Sequence, residues 1–155
     1  MKEKYDFALV SGGFDPVHVG HLRMFKDAKK MADKVVVLLN NDEWLIKKKG
    51  KPFMKEEERA EIISGLRGVD AVVIWDDGTQ NCIGAIELLR PSLFTKGGDR
   101  AAPEDIAEWD VCNEVGCRVQ FNVGGGKIQS SSWLLENFFL LSLYLPGRVQ
   151  EFLNV

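Results

Sequence analysis

Histidine is scarce in this chain. There are two, His18 and His21, and a zinc site built on several imidazoles has no supply to draw on. Cysteine is scarce too. Cys82, Cys112 and Cys117 form an odd set without a second close pair. That pattern predicts reduced, buried thiols in a cytoplasmic protein, not a disulfide framework or a structural zinc site. No excess of basic charge exists: 20 Lys and Arg face 23 Asp and Glu, for a net charge of −3. A duplex nucleic-acid binder normally carries the opposite balance, so no nucleic-acid partner is expected. No run reaches the ~20 apolar residues of a membrane span. The nearest, residues 133–145, is broken by Glu136 and Asn137. The first residues have too short an apolar stretch for a signal peptide, so no membrane partner is expected either.

What is present suits a folded domain. The chain has 155 residues, is 45% apolar, and holds 15 Gly against 5 Pro. We expect a single domain over 1–155, with 133–155 as a C-terminal apolar helical tail. Strand-like and helix-like segments alternate. Apolar runs at 7–10, 35–39, 71–75, 93–95 and 118–123 read as strands. Helical spacing or capping signals mark the stretch from Leu22 to Ala32, then 42–48, 56–66, 79–90, 103–115 and 130–141. Thr79 and Pro103 serve as the start signals of the fourth and fifth helices. The alternation predicts an α/β fold: a Rossmann-like, doubly wound, parallel five-stranded sheet with helices on both faces. Ligands on such sheets bind beyond the carboxyl ends of the strands. Gly12-Gly13, Asn40-Asn41, Asp76-Asp77-Gly78, Lys96-Gly97-Gly98-Asp99 and residues 124–127 fall there.

The loop after the first strand carries the strongest chemical signal: Gly12-Gly13-Phe14-Asp15-Pro16-Val17-His18-Val19-Gly20-His21. Gly12 and Gly13 would let backbone N–H groups approach a phosphate. The following helix adds positive potential at its N-terminus. His18 and His21 share one helical face, and Gly20 between them leaves room for a ligand to lie against the backbone. The G-x-G-x-x-G spacing of dinucleotide binders is absent.

These residues resemble a known family. Phe14-Asp15-x-x-His18-x-Gly20-His21 is similar to the HxGH signature of the nucleotidyltransferase superfamily, and the resemblance runs from about Val10 to Leu135. Lys49-Gly50-Lys51-Pro52 with Glu58-Arg59 resembles the loop and helix start that hold phosphates in the sugar- and polyol-phosphate branch. Lys96-Gly97-Gly98-Asp99 resembles the same stretch of heptose 1-phosphate adenylyltransferases. Ser130-Ser131-Ser132 is similar to the family's second signature, which grips the β- and γ-phosphates; simple N-capping is the other reading of that run. The Arg that precedes it in the cytidylyltransferase branch is missing, and Lys127 or Arg100 could supply the charge.

The resemblance implies an enzyme that moves AMP or CMP from ATP or CTP onto a phosphomonoester, a sugar or polyol phosphate, releasing pyrophosphate by direct in-line attack. His18, His21 and Lys49 would be catalytic. Gly12, Gly13, Phe14, Asp15, Gly20, Gly97, Gly98, Asp99, Lys127, Ser130, Ser131 and Ser132 would bind the nucleotide. Lys51, Arg59 and Arg100 would hold the acceptor phosphate. Mg²⁺ would come with the triphosphate, with no ligands assigned to protein side chains. The apolar tail and the habit of the family point to a homodimer. Two other readings remain open from the residues alone. One is a non-catalytic nucleotide-binding regulatory module. The other is a fragment related to class I aminoacyl-tRNA synthetases, for which the chain is short and its charge unsuited.

Overall fold

The computed structural model describes residues 3–98 and 100–144. Strands Tyr5–Gly12 (β1), Ala32–Asn40 (β2), Ala71–Trp75 (β3), Leu93–Thr95 (β4) and Arg118–Gln120 (β5) form one parallel sheet in the order β3-β2-β1-β4-β5. The helices are Val19–Met31 (α1), Asp42–Lys49 (α2), Glu56–Ser64 (α3), Ile83–Leu89 (α4), Trp109–Val115 (α5) and Ser131–Tyr144 (α6).

Side-chain alternation along β1 divides the core in two. Ala8 and Val10 pack with Phe25 and Ala28 of α1 and Ile63 of α3. Leu9 points the other way, to Ala85 and Ile86 of α4 and Val111 and Cys112 of α5. Successive strand residues face opposite sides, so both sides of β1 must be apolar and both must be covered. Each fully buried large side chain, such as Phe25 or Phe94, contributes about 1.5–3 kcal/mol to that arrangement. The predicted doubly wound sheet with helices on both faces is therefore what forms.

Three local expectations are corrected. The helix expected from Thr79 begins at Ile83. Thr79 instead gives both its N–H (2.9 Å) and its hydroxyl (2.6 Å) to Asp77 Oδ1, closing a side-chain turn that competes with helix. The helix expected over 103–115 is split into a 3₁₀ turn, Pro103–Asp105, and α5. The Asp105 carboxylate accepts the N–H groups of Ala101 and Ala102, each at 3.0 Å, and folds that turn back on itself. The fifth strand ends at Gln120, not at Val123. Asn122 turns left-handed there, at φ 57°, and sends the following glycine loop across the sheet's carboxyl end.

The strand order reverses between β1 and β4. The chain runs outward from β1 to β3, then returns to the other side of β1. Loops leaving β1 and β4 part at that point and open a crevice beyond their carboxyl ends. No helix among the described residues is long and apolar enough to cross a membrane. Of the apolar tail, α6 is described as far as Tyr144, and the remainder to 155 lies outside the described residues.

Candidate active site

The crevice has two lobes. The first, of about 320 Å³, lies between the histidine loop and the glycine-rich stretches 95–98 and 123–131. The second, of about 610 Å³, lies toward β2 and the segment before α5. Ser11, Gly12, Lys48, Lys96 and Gly97 line both.

His18 and His21 line the first lobe at the start of α1. Gly20 N–H donates to His18 Nδ1 at 3.1 Å, and His18 N–H donates to His21 Nδ1 at 3.2 Å. The two imidazoles thus cap the helix reciprocally, satisfying N–H groups that have no partner within it. An Nδ1 that accepts a hydrogen bond carries no proton, so each ring keeps its proton on Nε2 as a donor. The rings stack with centroids 3.7 Å apart. The Phe14 ring meets His21 edge-on at 4.7 Å. Phe14 reaches that place through a left-handed backbone, φ 50°. Burial pushes the His18 imidazole below its ordinary value. His21 is pushed down to about 3, by burial first and by the adjacent His18 second. Both are therefore neutral donors near pH 7.

Gly20 lines the first lobe and also serves this geometry. A Cβ there would lie 2.9 Å from His18 Cε1 and break the ring's seat on the helix. Gly12 lines both lobes, but Gly13 lines neither; a Cβ on Gly13 would lie 2.8 Å from Leu45 Cδ2. Gly98 lets two loops touch. A Cβ on it would sit 2.4 Å from Gly125 O and 3.1 Å from Lys127 N. Gly97 and Gly98 line the first lobe beside that contact.

Ser130 and Ser131 line the first lobe, but Ser132 is exposed and does not. Ser130 Oγ accepts the Trp133 N–H at 3.1 Å, the capping role. Ser131 Oγ donates to Pro16 O at 2.8 Å and ties α6 to the histidine loop. Lys127 lines the same lobe, with its ammonium 5.3 Å from the centre of the Trp133 ring.

Four predicted residues sit elsewhere or serve another purpose. Asp15 is 2% exposed, and its carboxylate accepts Phe53 N and Met54 N at 2.7 Å each. It clamps the loop after α2 and lines neither lobe. Lys49 Nζ turns to that carboxylate, 2.5 Å away, and to Asp15 O at 3.1 Å. It lines neither lobe; Lys48 lines both. Helical rotation explains the exchange. Leu45 faces the core, and Lys49, one turn on, follows it inward, whereas Trp44 and Lys48 share the cleft side. Lys51 is exposed and lines neither lobe.

Arg59 is the largest departure. It is wholly buried and is spent on the protein. Its guanidinium donates to Met54 O (2.9 Å), Gly13 O (2.7 Å), Asn40 O (2.8 Å) and Asp42 Oδ1 (2.6 Å). It joins the loops after β1 and β2 to α3 and lines neither lobe. Arg100 does line the second lobe, where it donates to Asp105 O. Asp99 lies outside the described residues.

Sequence alone assigns Lys48, Lys96, Asn40 and Glu108 no individual role, although it places Asn40 and Lys96 at the carboxyl ends of their strands. Lys96 Nζ lies 3.5 Å from Glu108 Oε2 and 4.6 Å from the centre of the Phe94 ring. Glu108 is 5% exposed and Asn40 8%. All three cysteines are buried free thiols, and burial raises that of Cys82.

The cleft at the strand reversal, walled by two glycine loops and two helix N-termini with paired imidazole donors, has the form of a phosphate-transfer site of the HxGH type. A family model described as cytidylyltransferase-like matches residues 9–122. The chain belongs to that family. It is 37% identical over 112 residues to the bifunctional protein HldE of Syntrophotalea carbinolica, covering 71% of this chain and 22% of that protein. It is 39% identical over 112 residues to HldE of Geobacter metallireducens, again covering 71% and 22%. The chain thus spans 22% of the length of these curated relatives. Among solved structures, it is similar to the lipopolysaccharide core biosynthesis protein of Thermoplasma volcanium. That likeness has a TM-score of 0.63 and 25% identity, covering 76% of this chain and 94% of the other.

Proposed function

We propose that this protein transfers AMP or CMP from ATP or CTP to a phosphomonoester, a sugar or polyol phosphate, and releases pyrophosphate. One observation carries the reading. Both imidazoles spend Nδ1 on backbone N–H groups, so each presents a neutral Nε2–H donor at a cleft flanked by helix N-termini. Membership of the family and likeness to a lipopolysaccharide core biosynthesis protein support a sugar-phosphate acceptor.

The nucleotide would occupy the first lobe. An acceptor phosphate oxygen attacks the α-phosphorus and forms a new P–O bond. The bond to the oxygen bridging the α- and β-phosphates breaks, and pyrophosphate leaves with that oxygen. The Nε2–H groups of His18 and His21 stabilise the charge that builds on the α-phosphate oxygens. Lys48, Lys96 and Lys127 line the path and favour the anions at both ends. Nothing in this scheme needs a covalent enzyme intermediate; positioning and charge complementarity suffice. Among the described residues, no group of three His, Cys, Asp or Glu side chains is arranged to hold a metal. Mg²⁺ would arrive on the triphosphate and screen its charge.

Thermal-shift measurements with ATP, CTP, GTP and UTP, each with Mg²⁺, identify the base. Nucleotide at 100 times its dissociation constant adds about 2.7 kcal/mol of stability. Pyrophosphate release with phosphorylated sugars and polyols then tests the transfer itself. A protein that binds nucleotide but releases no pyrophosphate with any of them is a binding module, and the proposal fails.

The same reading includes a cytoplasmic homodimer. Helix α6 exposes Trp133, Phe138, Phe139, Leu140, Leu141, Leu143 and Tyr144, which a second copy would cover. A monomer mass by light scattering at micromolar concentration overturns that part.

A further inference from the structure

The second lobe is built from different material than the first. Seven glycines stand among the residues that line the first, whereas Gly12 and Gly97 are the glycines of the second, which presents Asn40, Asn81, Arg100 and Glu108. Asn40, at the end of β2, is 8% exposed. Its main-chain oxygen serves Arg59, but its side-chain amide has no hydrogen-bond partner among the described residues. Among the described residues only Trp75 Nε1 is an enclosed side-chain polar atom without a partner, so the Asn40 amide is not sealed inside the protein and opens to the lobe it lines.

Glu108 adds a second buried polar group on the same wall, 5% exposed. Cys82 N–H donates to its Oε1 at 3.0 Å, and Lys96 Nζ lies 3.5 Å from its Oε2. A carboxylate offers about four acceptor sites, so these two contacts, together with that of the Cys82 thiol, leave capacity unused. Lys96 stands at the seam, lining both lobes, where a phosphate joining them would lie. Trp44 adds a flat wall to the second lobe.

This combination selects a particular chemistry. An acceptor-only carboxylate welcomes hydroxyl donors and repels a second carboxylate. An amide beside it both donates and accepts, as neighbouring hydroxyls require. We propose that the second lobe takes a hydroxyl-rich phosphate ester and that Glu108 and Asn40 are specificity-determining residues that read its hydroxyl groups. The inference rests on the nucleotidyl-transfer reading, in which the acceptor occupies this lobe.

The test is calorimetric, on the full chain. Glucose 1-phosphate, mannose 1-phosphate and glycerol 3-phosphate are the probes, with inorganic phosphate as the reference anion. The wild type is expected to bind at least one of the three tenfold or more tightly than inorganic phosphate. Glu108→Gln and Asn40→Ala should each reduce that margin about tenfold, with the Kd for ATP and CTP unchanged. Asn40→Ala removes no internal side-chain hydrogen bond, so it remains informative if Glu108→Gln unfolds. A wild type without any margin, a margin intact in Asn40→Ala, or variants that weaken nucleotide instead, each overturns the inference. Pyrophosphate release is scored separately. Its absence beside a margin that the variants abolish would remove the transfer reading and leave the hydroxyl-reading pocket standing.

Discussion

His21 accepts the main-chain N–H of His18 through Nδ1 at 3.2 Å, while their rings stack 3.7 Å apart. Gly20 N–H fills His18 Nδ1 in the same way, so each ring keeps its proton on Nε2, and neither can turn without uncapping α1. Replacing either one by alanine removes a donor that strengthens as charge develops. We expect His18→Ala and His21→Ala each to lower kcat by about 10²–10³, equivalent to about 2.7–4 kcal/mol. Pyrophosphate release on variants with native circular dichroism checks this, and near-normal turnover in either would sink the assignment.

The depressed His21 value makes stability depend on pH. Its proton affinity is about 3 folded, against an ordinary 6.5 unfolded. Above 6.5 neither state holds the proton, and there is no penalty. As the pH falls from 6.5 toward 3, the unfolded chain takes a proton that the folded protein refuses, so stability declines. The slope is at most about 1.4 kcal/mol per pH unit. A His21→Gln variant lacks this titration. Melting curves of the two proteins from pH 7.5 to 4 should therefore converge as the pH falls; parallel curves would refute the neutral, buried imidazole.

Arg59 and Asp15 are expected to behave as structural groups. Arg59→Met leaves three carbonyls and Asp42 without their cation, and breaking such buried pairing costs about 3–5 kcal/mol. Urea unfolding measures it. A phosphate-binding Arg59 would instead leave stability alone and raise KM for the acceptor.

Asp15→Ala should release the loop that Phe53 and Met54 anchor. Hydrogen bonds to charged groups contribute about 1.5–3 kcal/mol. Trypsin should then cut after Lys55 well before it cuts the wild type. Equal cleavage rates would show that the clamp is unimportant.

Gly98→Ala places a methyl where Gly125 O already lies, 2.4 Å from the ideal Cβ. The two loops must part. Overpacking of this kind costs about 1–3 kcal/mol. Nucleotide affinity should fall with it, read as a smaller thermal shift than the wild type gives at the same ATP or CTP concentration.

Much of the fold was legible in the sequence. β3 and β4 have the predicted limits because each is an apolar run bounded by turn-forming residues. The histidine loop was legible because its signals are local: glycines, two imidazoles and a helix start. What escaped depends on contacts between distant segments. Arg59 reads as a charged residue on an exposed helix face, and nothing nearby announces carbonyls arriving from positions 13, 40 and 54. The choice between Lys48 and Lys49 depends on how α2 is rotated. Leu45, apolar among charges and one turn before Lys49, was the available clue. Glu108 gave no local sign at all, and Asn40 only its place at the carboxyl end of β2. Their meaning comes from the space between them.

Three of the four oxygens around Arg59 belong to the main chain. Every residue type has a main-chain oxygen, so substitutions at 13, 40 and 54 that keep the backbone path leave those contacts intact. No substitution at 59 can do so. The relative placement of the first two βα loops thus depends on the side chain at 59, while the main-chain partners at 40 and 54 are open to drift. Variation that retunes the cleft can accumulate around Arg59 without disturbing the frame that holds the histidines in place.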